Sequence, residues 1–186
     1  MKLLDTIRIE LTQKKEEGAE NVLLTPGNYG IAYIRSALGI DPESAVIVSN
    51  FIGDSLDICS ELGFRKILLI GHVGKLVKIA GGMLNTHSKY GDCRMEIIAS
   101  HAAKYGLKSD AACEILQCAS CDDAIRILKE NSLFEKSFSS VTERISYNLN
   151  YKTKGRMQTE CILFSNEYGL ISESNNAKEF LTLFKE

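Results

Sequence analysis

The strongest constraint on how this chain can fold is a pattern that occurs three times. A short apolar run ends in glycine or small polar residues, and a helical pattern follows. The runs are VLLTPG (residues 22–27), AVIVSN (45–50) and KILLIGH (66–72). Behind the first, NYGIAYIRSALG places Ile31, Ile34 and Leu38 at helical spacing. Behind the second, FIGDSLDICSELGF places Leu56, Cys59 and Leu62 on one face, with Gly63 as a stop signal. Behind the third, VGKLVKIAGG carries Leu76, Ile79 and Ala80 as its stripe. Runs too apolar to alternate, each followed by a helix, predict buried parallel strands joined by right-handed crossovers.

The remainder reads as a helical insertion and a closing strand pair. Helices are expected over 95–105 (Met95, Ile98, Ala99 and Ala102 facing inward), 110–118, 122–130 and 134–151. Asp122 or Asp123 is the expected cap of the third of these. TECILFSNEYGLISES predicts strand, turn at 166–169 and strand, and AKEFLTLFKE a last helix. The opening MKLLDTIRIELTQKKEEG reads as a short amphipathic helix without a cleavable signal pattern. With no repeat, low-complexity tract or Pro-rich linker, the expectation is a single α/β domain over 1–186. Its class is a Rossmann-like three-layer domain with a mainly parallel sheet and a helical insertion.

Composition excludes several function classes. Apolar residues make up 45% of the chain, enough for a core that needs no disulfide or metal. A formal net charge of −2 gives no bulk attraction to nucleic acid or anionic membrane. No apolar run approaches the roughly 20 residues that span a bilayer. Cys113, Cys118 and Cys121 form C-x4-C-x2-C, which admits a metal-site reading. Cys59, Cys93 and Cys161 lie in apparent core segments, and Cys113 sits in AACEIL, suited to a buried helical face. The six cysteines are therefore read as reduced thiols used as small hydrophobes, in a cytoplasmic protein that binds no metal.

The strand ends carry the chemistry. They read TPGNYG (25–30), SNFIGD (49–54) and GHVGK (71–75). In an open parallel sheet such ends share one edge, where ligands bind near the switch in strand order. Glycine lets a ligand approach the backbone, and the following helix N-termini favour a carboxylate or phosphate. No dinucleotide or nucleoside-triphosphate motif is present. The loop GGMLNTHS (81–88) running into KYGDCRME (89–96) is polar between two apolar helices, as a binding surface would be. His72 and His87 are acid–base candidates, or, for His72, a hydrogen-bonded histidine of purely structural role. His101 reads as structural. Lys75 faces the ligand edge and Lys78 solvent, while Asp92, Arg94 and Glu96 admit either a binding role or that of a helix start with surface ion pairs.

TPGNYG, VSNFIGDSLD (48–57), ILLIGHVGKLVKIAGGMLNTHS (67–88) and GDCRMEIIASHAA (91–103) resemble the cobalt-precorrin-5B C1-methyltransferase family, the CbiD type. The likeness extends more loosely over most of the chain. It implies S-adenosyl-L-methionine-dependent methylation of C1 of the cobalt-precorrin-5 macrocycle in anaerobic cobalamin synthesis. It also implies a preceding N-terminal α+β domain, with the present chain matching only the second, Rossmann-like domain. The expected partners are the macrocycle and either that N-terminal domain or a second copy of this chain. On this reading Gly27, Asn28, Asn50, Gly53, Asp54, Gly71 and Gly74 cradle S-adenosyl-L-methionine. Lys75, Asn85, Thr86, Ser88 and Arg94 hold the macrocycle's carboxylates, and His72 or His87 moves protons. Two alternatives are a binding fragment inactive without its N-terminal domain, and another Rossmann-like enzyme that binds a nucleotide or phosphate.

Overall fold

The computed structural model describes residues 3–185, so the ends of the expected first and last helices, at 1–2 and 186, lie outside the described residues. The chain runs α1 (Leu3–Glu16), β1 (Asn21–Thr25), α2 (Asn28–Leu38), β2 (Ala45–Ile47), α3 (Ile52–Glu61), β3 (Lys66–His72) and α4 (Val73–Ala80). It continues through α5 (Arg94–Ala103), α6 (Ser109–Leu116), α7 (Cys121–Glu130) and α8 (Phe134–Thr153). It closes with β4 (Gln158–Ser165), β5 (Gly169–Glu173) and α9 (Ala177–Leu181). The strands form one sheet in the order β2-β1-β3-β4-β5. All neighbours pair in parallel except β4 and β5, which are antiparallel. The class is the expected α/β one, with α4 to α8 as the helical insertion between β3 and β4.

Strand residues alternate between two apolar layers because side chains point to opposite faces with period two. Val22, Leu24, Ile67, Leu69, Cys161 and Leu163 enter a large core that also takes residues of α1, α3, α4, α5, α7 and α8. Leu23, Leu68, Ile70, Ile162 and Phe164 face a small core completed by Ile34 of α2 and by Ala177, Phe180 and Leu181 of α9. The fully buried branched side chains of β3 are each worth about 1.5–3 kcal/mol relative to exposure.

Several local expectations need correction. The second strand covers only Ala45–Ile47, although Val48 N–H still donates to Thr25 O at 2.8 Å. Ser49 then turns left-handed (φ 53°), which ends the pairing. Lys78 is 5% exposed rather than solvated, because the loop after α4 folds back over it. Cys113 is exposed on α6, where Ala111 and Ile115 take the buried face. Ser120, one residue before α7, caps that helix by accepting from Asp123 N–H, so neither Asp122 nor Asp123 is the cap. A hydroxyl serves there because its oxygen reaches the third helical amide, which an acid inside the first turn cannot do.

Candidate ligand site at the strand ends

The helices that leave β1 and β3, α2 and α4, lie on opposite faces of the sheet, while the two strands are neighbours. A crevice must open where their connections part. It holds a cavity of about 720 Å³, a size usual for small-molecule sites. One wall is Pro26, Gly27, Asn28, Tyr29 and Gly30, and the other is His72, Gly74 and Lys75, with Arg94 reaching over from α5. A second cavity, of about 330 Å³, shares Gly74, Lys75 and Arg94 with the first. It adds Asn50, Lys78, Thr86, His87, Ser88 and Asp92.

Close packing explains the glycines. A Cβ on Gly30 would lie 1.7 Å from Thr25 Oγ1, so only glycine lets α2 start hard against β1. A Cβ on Gly71 would meet Leu76 at 2.9 Å and Pro26 at 3.1 Å. At Gly74 it would press on His72 Nδ1 at 3.3 Å and Arg94 Nη1 at 3.6 Å. Gly27 faces open space, where a ligand could approach its backbone.

One amide links three turns. Asn50 Oδ1 accepts from Lys75 Nζ (3.0 Å) and from Thr86 Oγ1 (3.1 Å), and Asn50 O accepts from Thr86 N–H (3.1 Å). The loop after α4 is thereby fastened to the end of β2, with Phe51 and Asn85 forming an antiparallel bridge. Lys78 holds the same loop from beneath, donating to Thr86 O and Gly91 O, each at 3.3 Å. His72 Nδ1 accepts from Gly74 N–H at 3.1 Å and caps α4. His87 likewise accepts from Lys89 N–H at the start of a 3₁₀ turn.

The field in the crevice is positive. Lys75 and Arg94 line the first cavity with no carboxylate among its lining residues. In the second, Asp92 alone opposes Lys75, Lys78 and Arg94. Asp92 accepts from Arg94 Nε (2.8 Å) and Nη2 (2.6 Å), which holds its carboxyl down at about 2 and raises the guanidinium above its ordinary value. Burial, with Lys78 nearby, lowers Lys75. Burial also lowers His72; Asp122 at the start of α7 pulls it the other way and Arg94 adds to the lowering. Such an edge suits an anionic group.

Ten of the expected site residues come together here. Gly27, Asn28, His72, Gly74, Lys75 and Arg94 line the first cavity, and Asn50, Thr86, His87 and Ser88 extend the second. Gly53, Asp54, Gly71 and Asn85 line neither. Gly53 is buried against Leu84, Asp54 is exposed on α3, Gly71 packs behind the cavity wall, and Asn85 Oδ1 accepts from His87 N–H. Pro26, Tyr29 and Gly30 of the TPGNYG cluster and Asp92, for which a binding role was one of two readings, also line the cavities, while Lys78 and Asp122 belong to the site or its surroundings without having been expected there. Tyr29 and Gly30 were readable from TPGNYG. Asp122 was not, since only the tertiary fold brings α7 to β3. Another opening, about 610 Å³ between α3 and the end of α8, is lined in part by the Lys152–Asp57 ion pair (2.6 Å) and holds no strand-end residue.

Among the described residues no group of three or more His, Cys, Asp or Glu is placed to hold a metal ion. Among them, too, no helix is long and apolar enough to cross a membrane. Residues 85–175 match the family model described as CbiD, C-terminal domain. The chain is 34% identical over 183 residues to the cobalt-precorrin-5B C(1)-methyltransferase of Clostridioides difficile, covering 96% of this chain and 44% of that protein. It is 38% identical over 163 residues to the protein of that name from Ruminiclostridium cellulolyticum (88% and 42%). To the one from Photorhabdus laumondii it is 34% identical over 179 residues (95% and 47%). The chain thus spans somewhat under half the length of these relatives. No solved structure matches it.

Proposed function

Since this chain belongs to the CbiD family, of which it carries the C-terminal domain, we propose that it is the donor-binding half of a C1-methyltransferase acting on the cobalt-precorrin-5 macrocycle. S-adenosyl-L-methionine would supply a sulfonium methyl group. The chain's own task is then to hold donor and acceptor in line and to keep water from the reacting atoms. The observation that carries this reading is the convergence of the β1 and β3 turns, with Lys75 and Arg94, on one crevice at the switch in strand order.

The residues fit a carboxylate-bearing ligand of this size. Gly27 leaves backbone accessible, Asn28 stands beside it, and Gly74 lines the facing wall between His72 and Arg94. Lys75, Arg94 and the Thr86–Ser88 edge of the second cavity suit the macrocycle's acidic side chains. The methylation itself would need the preceding domain that the relatives' length leaves room for.

Calorimetric titration of S-adenosyl-L-methionine into the chain and into Gly74→Val is the test. The valine branches would be driven into His72 and Arg94, so binding is expected to weaken by tenfold or more while the chain still folds. Equal binding by both proteins would overturn the cradle.

A further inference from the structure

His72 stands where β3 becomes α4, and its ring is committed on one side only. Nδ1 accepts the Gly74 N–H at 3.1 Å. A neutral imidazole has one proton, and a nitrogen that accepts a hydrogen bond cannot carry it. The proton therefore resides on Nε2. Protonating the ring would turn Nδ1 into a donor facing another donor and break the α4 cap. Surroundings favour the neutral ring as well. The side chain is half-buried, edge-on to Phe164 at 5.7 Å and tilted against Tyr29 at 6.0 Å. Arg94 from α5 opposes a second positive charge, and Lys75 from α4 shares the cavity wall. Asp122 from α7 pulls the other way, with Oδ1 buried and free of any hydrogen-bond partner among the described residues. Nε2 makes no hydrogen bond to the described residues either, while the ring lines the 720 Å³ cavity.

We propose that His72 is locked as the Nε2–H tautomer and serves the strand-end cavity as a neutral hydrogen-bond donor to a carboxylate shared with Lys75 and Arg94, not as a group that takes up protons. The identity of that carboxylate rests on the methyl-donor reading above, since both S-adenosyl-L-methionine and the macrocycle carry one. The tautomer does not rest on it. On this assignment any proton uptake at the rim falls to other groups, and His72 orients its ligand.

Long-range proton–nitrogen correlation spectra of the imidazole, assigned by loss of the signal in His72→Asn, read the tautomer directly. The expected result is a proton on Nε2 from pH 8 down past 6.5. Two probes then separate the carboxylate's source, S-adenosylhomocysteine and a porphyrin bearing carboxylate side chains. The one that moves the Nε2–H resonance supplies the group. Two variants separate the ring's roles. His72→Asn keeps an acceptor for the α4 cap and loses the far donor, so melting should be unchanged and affinity should fall at least about tenfold. His72→Gln carries an amide N–H toward the cavity and should recover part of that affinity. A proton found on Nδ1 overturns the tautomer lock, and wild-type affinity in His72→Asn overturns the donor role. A chain that takes neither probe by calorimetry removes the donor role and the methyl-donor reading together, an outcome distinct from either of those.

Discussion

Lys78 shows how a single side chain can be misread from periodicity and still be predictable once the fold is known. On an isolated helix it falls off the apolar stripe of Leu76, Ile79 and Ala80. In the protein the loop after α4 returns across it, and its ammonium donates to Thr86 O and Gly91 O. Both bonds are long, and an ammonium so buried carries a desolvation cost. Lys78→Met should therefore change global stability by only about 1 kcal/mol or less, because relief of that cost offsets the lost bonds. The loop should respond more: amide exchange at Thr86 and Gly91 is expected to speed up about tenfold, as hydrogen exchange would measure. Unchanged exchange would mean that Asn50 and the Phe51–Asn85 bridge hold the loop without Lys78. Lys75, three residues earlier, was legible because a helix beginning at Val73 sends it to the strand-end edge. Asp122 was invisible because nothing local connects it to His72.

At the level of elements, the three strand–helix units could be read because glycine or small polar residues end each apolar run. The second strand was overestimated: VSN looks β-branched and polar by turns, yet the left-handed Ser49 leaves the sheet. The placement of β4 beside β3 could not be read, since a long helical insertion separates them and strand pairing is a tertiary outcome. What holds that insertion in place includes one amide. Asn148 of α8 donates to Ile79 O (2.6 Å) and Ala80 O (3.3 Å) at the end of α4, where Ile79 O also accepts from Gly82 N–H (2.9 Å). Asn148→Ala should cost about 1–2 kcal/mol, lowering the melting temperature by about 2–8 °C. Calorimetric melting checks it; an unshifted transition would show that solvent replaces the bond freely.

For the whole molecule, acid is the informative perturbation. His72 and His101 are both lowered, first by burial, and His101 Nδ1 lies 2.8 Å from Ser140 Oγ between α5 and α8. A histidine held neutral in the fold binds fewer protons than in the unfolded chain. Its contribution is complete above its ordinary value near 6.5 and is lost as pH falls from there through the lowered value. Asp92, held at about 2, contributes above 3.8 and is lost only as pH falls through about 2, and its exposure keeps that contribution small. Melting temperature should therefore fall between pH 6.5 and 5 well before Asp92 matters, and His101→Gln should flatten part of that slope. A flat profile to pH 5 would remove both histidines from the account. The edge that carries the candidate site was legible at this scale, since the strand-end clusters mark it; that the crevice opens between β1 and β3 was not, because strand order is a tertiary outcome. Nor was the division of its lining between two cavities, because it depends on how the loop after α4 docks. That edge is also mechanically lopsided. Six of the eight residues of α4 are buried in the thick layer, whereas α2 fully buries only Gly30 and Ile34, with Tyr33 and Leu38 half-buried against the thin one. Any molecule lodged there rests one side on an anvil and the other on a loosely riveted jaw, so its arrival should quieten α2 far more than α4.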